Sequence, residues 1–327
     1  MLRLDRCFTI LAVASFPQLA TSCLHRETGG DAAAESTRAA APPPVIAPAT
    51  ATRTALETTR RTTLTFGPWH LPDSLLGRGS FSFTIRGANS PDAAIATLET
   101  ARRTGARIVL RLARGSSRFE NADGSFSLDG WKREIDRYRG LDLAPYVADG
   151  TLLGHFLFDE PHDPTNWDGK PVSYADVVAA ASHSRELWPT LPTGVGSPPT
   201  ALRILRGQTS RGSLDFALAQ YRPRKGEVTA WRDQEVAAAK TLGYGLVLSL
   251  QVLEGNDGRP LTGEQLRTFG VVLASEPYAC ALGMWKWDDE DPRYFERGDV
   301  IDATAAIAAA ARRTTARPCT SGALAPH

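Results

Sequence analysis

The run Gly154-His155-Phe156-Leu157-Phe158 leads directly into Asp159-Glu160-Pro161. Two adjacent carboxylates at the end of so apolar a stretch need a reason, because burying a charge is costly unless it is paired or used. Pro161 cannot continue a strand ladder, so it marks the strand end. Side chains alternate along a strand, so Asp159 and Glu160 start out pointing to opposite sides. One is expected to face a site while the other ties into a neighbouring strand or loop; the alternative is a pair that only caps the following loop. An apolar approach of this kind raises a carboxyl pKa toward the range of a general acid. Two other carboxylates close later apolar runs. Glu254 follows Gln251-Val252-Leu253 but precedes the turn signal Gly255-Asn256-Asp257-Gly258, which can leave it solvated. Asp288 follows Met284-Trp285-Lys286-Trp287 and heads the acidic Asp288-Asp289-Glu290.

Around these acids stand side chains suited to a ligand rich in hydroxyl groups. Trp285 and Trp287 flank Lys286; such indoles stack on sugar CH groups, or else simply pack the core. Gln220, Tyr221 and Gln251, also at the ends of apolar runs, add neutral donors and acceptors. Arg111 interrupts an aliphatic run, and a buried guanidinium wants a carboxylate, for which Asp159 or Glu160 is the natural partner. Trp69-His70 and Asn166-Trp167 are loop aromatics that could wall a groove. His155 lies mid-strand and reads as a core histidine. No Gly-x-Ser-x-Gly elbow is present. A divalent cation at Asp288 and Asp289 has no support elsewhere, and no Cys/His spacing points to structural zinc. No metal and no cofactor is therefore expected.

The elements that must position these residues alternate. Short apolar runs begin at Thr63–Phe66, Phe81–Ile85 and Arg107–Leu112, and continue at Leu152–Phe158, Thr193–Gly196, Leu214–Tyr221, Leu246–Leu253 and Ala281–Trp287. Amphipathic stretches at Asp92–Arg103, Leu128–Tyr138, Tyr174–Leu187, Glu227–Leu242, Gly263–Ala274 and Val300–Arg312 fall between most of them or after the last. Strands alternating with helices of this length mean βαβ units and a parallel sheet. Eight runs over about 250 residues is the size of a (β/α)8 TIM-barrel-like α/β domain, whose working residues lie at the carboxyl ends of the strands. Between the first two runs, however, stand Gly67, Pro68, Pro72, Gly77 and Gly79, too irregular for a crossover helix. The first run could instead be a lid or plug, leaving seven regular units. An open doubly wound sheet is the other alternative, but no glycine-rich phosphate loop follows an early strand.

The Asp159-Glu160-Pro161 end resembles the fourth-strand end of the large retaining clan of glycoside hydrolases with (β/α)8 barrels, where Asn-Glu-Pro supplies the acid/base glutamate. This chain departs in having Asp159 where the clan has the Asn that grips the sugar 2-hydroxyl. The resemblance covers 80–312 in layout and implies Glu160 as general acid/base. It also implies a nucleophile at the seventh strand end, where Glu254 stands, with Asp288 as the rival. The substrate-binding residues expected from residue type and position are Asp159, Arg111, Gln220, Tyr221, Gln251, Trp285, Lys286, Trp287 and Trp69.

The 327 residues carry 37 basic and 36 acidic side chains, a net charge of +1. That balance argues against a nucleic-acid partner. Residues 1–22 read as an export signal: Arg3 and Arg6, an apolar stretch too short to span a bilayer, then small residues before Cys23. Leu19-Ala20-Thr21-Ser22-Cys23 also resembles a lipoprotein lipobox, with Ala20 where Leu is usual, so lipid attachment at Cys23 and plain secretion both stay open. Residues 23–61 form an Ala/Thr/Pro-rich tether that cannot bury enough apolar surface to fold. The barrel domain is expected over 62–320, and 321–327 as a flexible tail. Cys7 lies in the signal, which leaves Cys280 and Cys319 as an even pair in an oxidising compartment, expected to form a disulfide. The functional expectation is an exported glycoside hydrolase-like protein with a carbohydrate substrate. The alternative is a surface carbohydrate-binding or scaffold protein that kept the barrel without the chemistry.

Overall fold

The computed structural model describes residues 62–113, 115–207, 214–288 and 293–321. The signal, Cys23 and the tether lie outside the described residues, as do Asp289 and Glu290. Eight parallel strands make one sheet: β1 (Thr65–Pro68), β2 (Phe83–Gly87), β3 (Arg107–Arg111), β4 (Leu152–Asp159), β5 (Thr193–Gly196), β6 (Phe216–Tyr221), β7 (Gly245–Gln251) and β8 (Ala279–Trp285). Their spatial order is β1-β8-β7-β6-β5-β4-β3-β2, so neighbours follow the chain and β1 sits beside β8. This is a TIM-barrel α/β domain with eight strands. The first apolar run is a barrel strand, neither lid nor plug.

The helices α1 (Pro91–Thr104), α2 (Leu128–Asp136), α3 (Ala144–Ala148), α4 (Tyr174–Leu187), α5 (Pro199–Arg206), α6 (Val228–Leu242), α7 (Gly263–Ala274), α8 (Arg293–Glu296) and α9 (Gly298–Arg313) surround the sheet. Their starts are written in the sequence. Ser90, Ser127 and Ser173 cap α1, α2 and α4 through their hydroxyls, and Thr262 with Gln265 forms a capping box on α7. α5 was not expected: it is only eight residues long and begins on two prolines, which read as loop.

The seam between β1 and β2 explains the irregular start. Pro68 has no N–H to give a ladder, and a side-chain hydroxyl helps join the two strands in place of regular pairing. The Thr84 hydroxyl donates to the Pro68 carbonyl at 2.9 Å and accepts from the Leu71 N–H at 3.2 Å. The Ser82 N–H donates to the Phe66 carbonyl at 2.9 Å, and the His70 N–H to Ile85 at 3.0 Å. The two strands come so close that a Cβ on Gly67 would sit 2.1 Å from the Phe83 carbonyl oxygen. The barrel therefore closes without a helix between its first two strands.

Inside the barrel Trp69, Phe83, Ile85, Val109, Phe156, Phe216, Leu218 and Val247 pack together. Two larger apolar layers lie between the sheet and the helices. His155 points outward, fully buried, with Nδ1 2.7 Å from the Ser184 hydroxyl. Burial pulls its pKa down to about 3, so it is a neutral core residue. At the amino end of the strands the tail is tied down. Thr315–Ala316 pairs antiparallel with Thr62–Thr63, and Cys280 is disulfide-bonded to Cys319, with Cα atoms 5.3 Å apart.

Candidate functional site

The carboxylate pair owes its position to a break in the register of β4. Phe156 faces the barrel interior, and strict alternation would put Phe158 and Glu160 inside with Asp159 outside. The pairing with β5 shifts instead. Phe156 lies opposite Gly194 and Asp159 opposite Gly196, so Leu157 and Phe158 together face the single residue Val195. Both turn to the outer layer, where the Trp131 indole N–H donates to the Leu157 carbonyl at 3.1 Å. A bulge of this kind re-aims the side chains that follow it. Asp159 is thereby carried inside. Its Oδ1 lies so close over β5 that a Cβ on Gly196 would stand 2.0 Å from it.

Glu160 takes a backbone that few non-glycine residues adopt, with φ of 42°. Such conformations cost on the order of 1–3 kcal/mol and persist only where surroundings impose them. Here hydrogen bonds on three sides impose it. The Glu160 N–H donates to the Gly196 carbonyl at 2.7 Å, and its own carbonyl accepts from the Asp163 N–H at 3.0 Å and the Trp167 indole at 3.2 Å. Its carboxylate accepts from Asn166 Nδ2 at 2.7 Å. The expectation that only one of the pair faces the site is thus corrected: the bulge and the left-handed turn bring both to the barrel mouth.

That mouth holds a cavity of about 150 Å³ whose lining includes Asp159, Glu160, His162, Gln220, Arg222, Lys225, Trp69 and Trp285. Trp69 and Trp285 meet edge to face at 4.8 Å between ring centres, and Trp69 also abuts Phe156. Burial, and secondarily the neighbouring Glu160 charge, push the Asp159 pKa up to about 7, partly offset by Arg111 and Arg222. The His162 Nδ1 lies 2.8 Å from the Ser197 hydroxyl, and burial lowers its pKa, which favours neutral imidazole. With its pKa near neutrality, the Asp159 carboxyl can hold a proton or give it up at the mouth.

Of the residues singled out from the sequence, Asp159, Glu160, Gln220, Trp69 and Trp285 share this lining. The others lie elsewhere. The Arg111 guanidinium is 5.9 Å from the Phe156 ring centre and donates to the Ala113 carbonyl at 3.0 Å, and its charge lowers the Asp159 pKa. Tyr221 is turned to the outer layer, 1% exposed, where its hydroxyl donates to the Gly226 carbonyl at 2.6 Å and its ring packs on Trp231 and Phe269. Alternation decides this, since its neighbour Gln220 takes the inner face. Gln251 ends β7 with Oε1 accepting from the Leu253 N–H at 3.2 Å. Glu254 is half exposed and lies 3.8 Å from Arg222. Lys286 lies 5.9 Å from the Trp285 ring centre, and Trp287 stacks on Phe295 at 5.2 Å. Asp288 is half-buried just past β8. Asn166 meets Glu160, whereas Trp167 is buried among Phe119, Phe126 and Phe158.

His162, Arg222 and Lys225 were missed. Each follows a strand end by one to four residues, so reading past the strands into the loops behind them would have found them. Among the described residues no group of three or more His, Cys, Asp or Glu side chains gathers where it could hold a metal ion.

No family model and no curated protein matches the sequence. Solved structures do match. The chain is similar to a putative glycoside hydrolase from Parabacteroides distasonis at 9% identity, covering 78% of this chain and 95% of that one, with a TM-score of 0.51. It is also similar to xylanase 10B from Thermotoga maritima (9% identity, 76% and 95% covered, TM-score 0.46) and to a β-mannanase from Streptomyces thermolilacinus (13%, 69% and 80%, TM-score 0.48). The fold is that of the glycoside hydrolase (β/α)8 barrels.

Proposed function

We propose that the protein binds a carbohydrate in the barrel mouth and cleaves a glycosidic bond there, with Glu160 as general acid/base. The observation that carries this reading is the carboxylate pair itself. A register shift and a left-handed backbone, both costly, serve to bring two acids together in a tryptophan-floored cavity, with Asp159 titrating near 7. Proton transfer to a leaving oxygen is the chemistry such a pair does best at neutral pH. Glycoside hydrolysis ordinarily adds a second carboxylate across the bond. Glu254 and Asp288 remain the candidates, and the ion pair with cavity-lining Arg222 favours Glu254. The second reading, binding without cleavage, is favoured by one fact: among the described residues, the acids in the cavity's lining are the chain neighbours Asp159 and Glu160.

Glu160→Gln decides between the two. The purified protein is screened on polysaccharides and aryl glycosides, and glycan binding is measured in parallel. Loss of turnover by about 10²–10⁴-fold with binding kept is the expected result. Near-normal turnover of a substrate with a poor leaving group would move the acid elsewhere. Wild-type binding without any cleavage would establish the second reading.

The chain is proposed to be exported, either secreted or held at the cell envelope through a lipid on Cys23. The Cys280–Cys319 disulfide supports export, because such bonds persist in oxidising compartments.

A further inference from the structure

The wall of the mouth contributed by the end of β6 is basic. Arg222 and Lys225, from that strand end and the turn after it, line the same cavity as Asp159 and Glu160. Their charges are poorly matched by protein. The carboxylate nearest Arg222 is that of Glu254, 3.8 Å away and 49% exposed, and its Nε donates to Gln220 Oε1 at 3.3 Å. Lys225 makes no ion pair with a described residue. Its ammonium donates to the Gln220 carbonyl at 2.9 Å and lies 5.6 Å from the Trp231 ring centre. Burial pushes its pKa down; Glu235 and Glu160 at a distance pull it partly back up, and the Arg222 charge adds to the lowering. Two cations are thus held side by side in a partly dry wall, against their mutual repulsion. Both cations act on the acid pair at a distance, Arg222 lowering the Asp159 pKa and Glu160 raising that of Lys225, but neither makes a direct ion pair with Asp159 or Glu160 among the described residues. The cavity lies between them.

A neutral sugar needs neither cation, since Gln220 and the carboxylates already serve hydroxyl groups. We infer that Arg222 and Lys225 form a subsite for a sugar carrying an anionic substituent, a carboxylate or a sulfate ester, whose ring lies against Trp285 and whose glycosidic oxygen faces Glu160. Arg222 offers the planar fork that suits such an anion, and Lys225 a compact charge. The inference rests on the mouth being a carbohydrate site, but not on cleavage taking place there.

The test is titration calorimetry of the full-length protein at low salt with matched pairs of oligosaccharides. Glucuronate, galacturonate and mannuronate trisaccharides are each compared with their methyl esters, and a sulfated galactose trisaccharide with its desulfated form. Inorganic sulfate is titrated as a control. In at least one pair the charged member should bind about tenfold tighter, the scale of one charge-assisted hydrogen bond, and added salt should shrink the difference. Arg222→Gln and Lys225→Gln should each erode that preference, weakening the charged member more than the uncharged one; two variants guard against one that fails to fold. Which pair responds distinguishes carboxylate from sulfate ester. Equal affinity within every pair, a preference that survives both substitutions, binding of inorganic sulfate but of no sugar, or no binding at all would overturn the inference. Acid preference without cleavage would keep the subsite and reject the hydrolase. Cleavage of neutral glycans without acid preference would do the reverse.

Discussion

Adding one methyl group at Gly196 tests the geometry of the mouth most directly. A Cβ there would stand 2.0 Å from Asp159 Oδ1, 2.7 Å from Phe156 Cζ and 3.1 Å from Asp159 Cγ. Ordinary contacts begin near 3.4 Å, so the carboxylate must retreat by more than 1 Å, and Phe156 is wedged in the barrel interior and cannot make room. Overpacking of this kind costs about 1–3 kcal/mol. If Asp159 and Glu160 act together, a displacement of about 1 Å also costs on the order of 10²-fold in turnover. Gly298→Ala is the control: a Cβ there meets nothing within 4 Å, and alanine favours the start of α9. Denaturant unfolding of both variants, with Asp159 titrated by carbonyl NMR, gives readouts that do not depend on knowing the substrate. Gly196→Ala should unfold at lower denaturant and titrate away from about 7. A Gly196→Ala protein as stable as Gly298→Ala, with its carboxyl titration unchanged, would refute the placement of Asp159 over β5 and with it the bulge.

The raised Asp159 pKa has a signed consequence for stability. Between the ordinary value of 3.8 and about 7 the folded state holds a proton that the unfolded state has lost. Stability from this group is therefore fullest below pH 4 and declines as pH rises toward 7, by at most about 4 kcal/mol. Asp159→Asn should remove that slope and exceed wild-type stability at pH 8 in urea melts; parallel pH profiles for the two proteins would reject it. Reduction of Cys280–Cys319, which are 39 residues apart, should lower the melting temperature, since a loop of that length stabilises by roughly 4 kcal/mol. An unchanged melt after confirmed reduction counts against it. For the anchor, full-length protein made in a bacterium should partition into detergent and Cys23→Ser into water; both in the aqueous phase would exclude the lipid.

Much of the barrel was legible because its signals are local. Parallel strands buried on both faces read as apolar runs, Ser and Thr mark helix starts, and Pro161 ends β4 where its ring forbids a further ladder. The acid pair and the tryptophans at strand ends were legible for the same reason: the fold puts its mouth where strands stop. What the tertiary structure alone decided involves partners distant in the chain. The seam between β1 and β2 depends on the Thr84 hydroxyl donating to the Pro68 carbonyl, a bond visible only once the strands are adjacent. The side on which Asp159 lands depends on a register shift against Val195 and Gly196, which no alternation within β4 could announce. Tyr221 went to packing because Phe269, far along the chain, offered it an apolar surface, and Trp287 because the short helix α8 brought Phe295 against it. Arg222 and Lys225 joined the mouth because the turn after β6 folds over it, and a turn carries no periodicity from which its direction could be read.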